Sequence, residues 1–281
     1  MGGPVVTVGP GQQESNLTDA LAAIGDEGTL ILYQWIYDEA LTISAGTVAF
    51  LANDGDMVEW RQTSGGGVPQ LRTEEMATVL LDGLELSLNA SLSEPAIRAI
   101  TFSRVWADRS IVARNPGGAI VTVNNSQAVL RNCFIGGEVD AVVMDVRGES
   151  NVSAQYTTIG AGAGEAIAVE CTGGATMTAS DSVILTRGME DVSCAGFSAD
   201  HTVANMMQVG SDNVAVGATD VSWFVDYTSG DFHLTDLGQM TFMEIAQWNE
   251  GDPLDDPLVD IDGMPRAGVE GAMEYPGADL P

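Results

Sequence analysis

Residues 128–137 read AVLRNCFIGG: a short apolar alternation, a polar corner at Asn132, and a second apolar pair running into glycine. The phrase returns as VWADRSIVAR at 105–114, MTASDSVILTR at 177–187 and FSADHTVAN at 197–205. Aligned on an apolar anchor, the copies place Leu86, Ile111, Ile135, Ile159 and Ile184 at nearly constant steps. Asp108, Asn132 and Asp181 stand three places before their anchors, and Asp200 with Val203 continues the series after a shorter step. Upstream of the anchors lie further apolar alternations, PAIRAITF, GAIVTVNN, DAVVMDV and EAIAVEC.

A period near 24 with period-two apolar runs and polar corners predicts a stacked β-solenoid. No single turn buries its inward side chains, whereas turns stacked at strand spacing bury them in one column. Asn and Asp suit the corners because they tolerate left-handed backbone angles. Helical repeats would show a period of 3.6 instead, a sandwich would not keep so constant a spacing, and the leucine/asparagine consensus of leucine-rich repeats is absent. The expected fold is all-β, a right-handed parallel β-helix of about 24 residues per coil. It forms a single domain over 1–281, with strand and capping helix at 1–28, coils at 29–220, and a cap with an acidic tail at 221–281. SNLTDALAAIG, residues 15–25, is the capping helix, with Ser15 or Asn16 as its cap and Leu17, Leu21 and Ile24 as its stripe. MTFMEIAQWNE is expected to give one more short helix, and the tail to run extended along the body.

Charge narrows the partners. The net charge is −30, and all ten basic residues are arginine, so lysine bases and Schiff bases are excluded. Such a surface repels nucleic acid and anionic membranes, and repels a polyanionic sugar unless cations bridge the two. No apolar run is long enough for membrane insertion. Three cysteines, Cys133, Cys171 and Cys194, make neither a disulfide framework nor a zinc set. Cys171 and Cys194 are separated by close to one period. Stacked core residues are the first reading, and a disulfide is the alternative in an oxidising compartment. The opening MGGPVV lacks a basic region and an apolar core, so the chain is either cytoplasmic or a mature form without its signal.

The repeat and both end segments resemble the bacterial extracellular parallel β-helix proteins of the pectate-lyase-like fold. IYDEALTIS is similar to that family's Tyr-x-Glu-x-Leu-x-Ile phrase through Tyr37, Glu39, Leu41 and Ile43. DYTSGDFHLTDLG is similar to its closing phrase, and DIDGMPR within the tail to its Asp-x-Asp-Gly-x-Pro-Arg element. The resemblance implies the fold, and secretion or surface display. The fold hosts lyases, hydrolases, esterases and adhesins alike, so activity does not follow from it.

Several residues are candidates for chemistry, each beside a structural reading. In a strand, Tyr33, Trp35 and Tyr37 share one face opposite Leu30, Leu32 and Ile36, a platform for the apolar face of a sugar; packing under the cap is the structural alternative. Asp108, Arg109 and Arg131 offer a base and cationic partners for elimination, or surface ion pairs. Asp108, Asn132, Asp181 and Asp200 would form a corner ladder, with Asp82 out of register; it either satisfies backbone groups or binds Ca2+. Asp252, Asp255, Asp256, Asp260 and Asp262 crowd the tail with oxygen ligands suited to Ca2+, though not at EF-hand spacing. His233 and His201 read as structural. The functional expectation is a non-catalytic scaffold binding extracellular carbohydrate. A polysaccharide lyase or glycoside hydrolase is the second reading and a structural or adhesive protein the third; enzyme status stays open. Paired carboxylates, or carboxylate plus arginine, facing one groove would mark the enzyme; aromatics on an open face would mark the binder.

Overall fold

In the computed structural model, which describes residues 3–63, 67–89, 93–206, 208–250 and 256–281, the chain winds through about eight parallel turns of roughly 24 residues. One face is a ten-stranded parallel sheet from Val5–Val8 through Thr78–Asp82, Arg104–Asp108, Gln127–Arg131 and Asn151–Gln155 to Gly210–Ser211. A second face runs from Ile36–Asp38 through Val58–Gln62, Leu84–Asn89, Ile111–Ala113 and Phe134–Gly136. A third runs from Leu41–Ile43 to Met144–Arg147, and the long bent strand Thr158–Thr172 joins the second and third faces. Asp82, Asp108, Arg131, Gln155 and Ser180 are register partners in successive coils, so the sequence period is the coil.

The period arises because each inward position is buried only by its neighbours in the next coil. On the first face Leu30, Phe50, Leu81, Ala107, Leu130, Ala154 and Ala179 lie in register, all buried. On the second, Tyr37, Trp60, Leu86, Val112, Ile135, Ile159 and Ile184 do the same. The anchor series is thus correct except at one member: Val112, not Ile111, stacks between Leu86 and Ile135. Ile111 pairs with Glu85 and Phe134 and lies on the outward side. A one-residue slip in a period-two element reverses the face. The upstream runs form the third face, where Ile97, Ile120, Met144 and Val169 stack.

The corner ladder divides into two columns. Asp82, Asp108, Arg131, Gln155, Ser180 and Asp200 end the strands of the first face in register. Arg109, Asn132, Tyr156, Asp181 and His201 follow them, each at a φ between 45° and 51°. The left-handed turn, rather than one residue type, is what repeats there; in the preceding coil Gly83 takes it, at φ 72°. Asp82 is in register with Asp108, and Asn132 and Asp181 belong to the neighbouring column.

At the amino-terminal end helix α1, Leu17–Ile24, covers the first coil with Leu17, Ala20 and Ile24. Asn16 caps it by accepting the Asp19 N–H. The Glu39 carboxylate accepts the N–H groups of Leu17 and Thr18 at 2.8 and 2.9 Å, so the Tyr-x-Glu-x-Leu-x-Ile phrase ties helix to coil. At the other end helix α2 spans Asp236–Phe242, earlier than expected, and Ala246–Trp248 pairs as a strand with Ala272–Glu274. The hairpin of Phe224–Asp226 and Asp231–Leu234 folds back on the second face. There Phe224, Tyr227, Phe232 and Trp223 form a second core with Phe134, Val183 and Leu185. Gly160 makes room: a Cβ there would collide with the Phe232 ring. Cys171 and Cys194 are joined by a disulfide with Cα atoms 4.5 Å apart, which resolves the cysteine pair in favour of the bridged alternative. Cys133 is a free, buried thiol, pushed up to about 12 chiefly by burial.

Candidate functional site

The aromatic hairpin covers the second face only in the later coils, leaving its earlier coils open to a groove of about 1260 Å³. Glu59 and Glu85 are adjacent in register, between Ile36 and Ile111. With Val58 and Leu84 they line one wall. Asn53–Met57 and Trp35 form one lip; Val259, Ile261–Gly263 and His233 form the opposite wall. The lip is braced by Asp56, which accepts the Gln34 N–H at 3.1 Å and the Asn53 side-chain amide at 3.0 Å. Trp35 is 52% exposed.

The expected row of three aromatics does not form. Glu27–Leu32 ends before Tyr33 and the next strand begins at Ile36, so alternation is interrupted between them. Tyr37 is buried on Trp60, and its hydroxyl donates to the carbonyls of Val8 and Tyr33 at 2.8 and 3.0 Å. Burial pushes that hydroxyl up to about 12. Tyr33 is half-buried, leaving Trp35 as the aromatic that faces the groove.

Asp108, Arg109 and Arg131 are brought together as a staggered ion-pair ladder. Arg109 grips both oxygens of Asp82 in the preceding coil, with Nε at 3.0 Å and Nη2 at 2.7 Å; Arg131 instead directs both Nε, at 2.9 Å, and Nη2 to the one oxygen Oδ2 of Asp108. The hydrogen bond to Asp82 carries Arg109 above the usual arginine range, burial opposing it. Of the three, Arg109 lines the groove. Glu59 and Glu85 share Arg114, which contacts Glu85 and lies 4.0 Å from Glu59; Glu59 also accepts the Ser87 hydroxyl at 3.1 Å. Neither glutamate stands out in the sequence. Their separation by one coil was the available signal.

The tail carboxylates separate. Asp252 and Asp255 lie outside the described residues. Asp260 is taken up by backbone, accepting the N–H groups of Asp262, Met264 and Leu280 at 3.0, 2.7 and 3.0 Å. Asp256 is buried, accepts the Asn249 N–H at 2.8 Å, and is pushed up to about 6 by burial. Asp262 instead reaches His233, with Oδ2 3.0 Å from Nε2, while His233 Nδ1 bonds Asp231. Burial works against the imidazolium, yet the Asp231 hydrogen bond and the charges of Asp262, Asp231 and Asp279 together raise His233 above the usual histidine range. His201 stands 3.9 Å from Asp212, away from the groove. Deeper under the tail, the Arg266 guanidinium lies 4.1 Å from the centre of the Tyr156 ring and pairs with Glu274 at 3.3 Å, all three buried.

No family model matches the chain, and no curated protein matches it. Among solved structures it is similar to the pectin methylesterase from Aspergillus niger in deglycosylated form, at 13% identity and a TM-score of 0.37, covering 81% of this chain and 93% of that one. It is likewise similar to the penultimately deglycosylated form of that enzyme, at 12% identity and a TM-score of 0.32, with the same coverage.

Proposed function

We propose that this chain is an extracellular glycan-binding protein whose ligand lies in the groove of the second face. The observation that carries the reading is Trp35, half exposed at a groove lined by apolar side chains such as Ile36, Met57 and Ile111 interleaved with polar and charged ones. An indole face packs against the C–H face of a sugar ring, and the Asp, Glu and Asn groups beside it bond hydroxyls. Charge selects the sugar. The lining holds Asp54, Asp56, Glu59, Glu85 and Asp262 against Arg61, Arg109 and His233. Arg61 and Arg109 are themselves ion-paired, with Asp38 and Asp82. A neutral or amine-bearing saccharide fits that field better than a uronate. Secretion is supported by the Cys171–Cys194 disulfide, since such bonds persist in oxidising compartments. Among the described residues, no helix is long and apolar enough to cross a membrane.

Cleavage is the second reading, favoured by the adjacent Glu59 and Glu85 and by Arg109 in the same groove. Hydrolysis uses two carboxylates flanking the scissile bond, one as acid and one as base or nucleophile. Glu59 and Glu85 instead sit side by side on one wall around a shared arginine, so the geometry supports binding more than hydrolysis. The test is a panel of neutral, amino and uronic polysaccharides, with and without Ca2+. It is read for binding and for new reducing ends or unsaturated products. Binding without products, weakened about tenfold (~1.4 kcal/mol) by Trp35→Ala, is expected. Products that vanish in Glu59→Gln or Glu85→Gln would replace binding by cleavage. Silence across the panel would favour a structural or adhesive role.

A further inference from the structure

The tail wall of the groove brings two of its lining residues, His233 and Asp262, beside a third acid that does not line it, Asp279. His233 comes from the closing hairpin, Asp262 from the tail turn and Asp279 from the last residues of the chain. One ring nitrogen of His233 and one carboxylate oxygen each of Asp262 and Asp279 lie within 4.8 Å of one another. Nδ1 is engaged by Asp231, which orients the ring and turns Nε2 toward Asp262. A carboxylate behind the far ring nitrogen is the usual support of a metal-binding imidazole.

Asp279 supplies an independent observation. It is 6% exposed, and one of its oxygens, Oδ2, accepts the Leu234 N–H at 2.7 Å. Its other oxygen has no hydrogen-bond partner among the described residues. That oxygen is not among the sealed polar atoms of the described residues, so it stays open to solvent or to a cation. Around the ring stand Asp231, Asp262 and Asp279, with Asp260 beside Asp279 and the edge of Phe134 closing the apolar side. One imidazolium does not balance those carboxylates, and among the described residues nine of the ten arginines are in ion pairs with other acids.

We propose that His233, Asp262 and Asp279 bind a first-row divalent cation of the Zn2+ class, with Asp231 as the positioning residue. An imidazole with two carboxylates is a borderline donor set that such ions take, whereas Ca2+ asks for six to eight oxygens. In the ion-free arrangement both ring nitrogens face carboxylate oxygens, so the ring carries two protons. On binding, the ion takes the Nε2 lone pair and that proton leaves to solvent. The ion would clamp hairpin, tail turn and chain end together. His233 and Asp262 also line the groove, but cation uptake is read without any glycan, so the two readings fail separately.

The experiment titrates the dialysed full chain with Zn2+ in about 0.15 M NaCl, where diffuse attraction to the acidic surface is screened. Calorimetry and elemental analysis are the readouts. One tight ion per chain is expected above a weak background. Asp231→Asn should weaken it about 10–100-fold, and His233→Ala should abolish it. His201→Ala should leave it intact. Asp262→Asn changes an exposed group and guards against loss of folding in the His233 variant. A zinc-dependent rise in melting temperature, present in the unaltered chain and in His201→Ala but absent in His233→Ala and Asp262→Asn, is the second readout. The proposal is overturned if no stoichiometric Zn2+ binds, if the tight ion persists in both His233→Ala and Asp262→Asn, or if Ca2+ competes on equal terms.

Discussion

Asp181 takes a left-handed corner of the coils, at φ 51°, and lies beneath the tail. Its Oδ1 accepts the Gln247 N–H at 2.8 Å, and burial pushes it up to about 8. Asp256 adds to the rise, while Arg266 opposes it. The folded chain therefore holds a proton that the unfolded chain releases near pH 4. Between those values the folded state binds more protons, so stability falls as pH rises, by up to about 1.4 kcal/mol per unit from this group. Asp191, Asp256 and Asp279, each pushed up to about 6 by burial, act in the same direction. The denaturation midpoint should drop between about pH 5 and pH 8. Asp181→Asn retains the oxygen facing Gln247 and should flatten that drop; an equal drop in the variant would show that Asp181 is not the source.

At the scale of elements, the closing hairpin determines which part of the second face remains open. It can approach because Gly137, Gly160 and Gly230 leave space where hairpin and coils meet: a Cβ on Gly160 would strike Phe232, and one on Gly230 would strike Ala113. Gly160→Ala should force the hairpin outward and cost about 1–3 kcal/mol, as overpacking does. Its melting curve should shift while the parallel-sheet spectrum of the coils is kept. An unchanged melting temperature would mean that the hairpin contributes little. The coils themselves were legible almost residue by residue, since inward side chains repeat at a period that neighbouring turns enforce. The hairpin was visible only as a phrase. Nothing in DFHL states that Phe232 points at Gly160 while His233 points at Asp262, because neither contact repeats.

For the whole molecule, charge is the dominant long-range property. A net charge of −30 on 281 residues makes the folded chain repel itself. Added salt screens that repulsion within a Debye length of about 10 Å at 0.1 M. The melting temperature should therefore rise by several degrees between about 0.01 and 0.5 M NaCl, the reverse of what loss of surface ion pairs alone would give. A fall would show that the Asp82–Arg109 and Asp108–Arg131 ladder outweighs the global field. The same field bears on the ligand, and makes uronate polymers the least favourable members of the proposed panel.

The repeat by itself determined the solenoid, its coil length and, but for the shift from Ile111 to Val112, its inward columns, while the local pattern of SNLTDALAAIG determined the helical amino-terminal cap. Those features are periodic or local, and stacking makes each coil's neighbours predictable from sequence distance. Only the tertiary structure decided that Trp35 stands at the mouth of a groove, that Glu59 and Glu85 share Arg114, that Cys171 joins Cys194, and that the chain's last residues meet His233. The tail returns across the coils with no period of its own, so its contacts are decided by space and burial rather than by register.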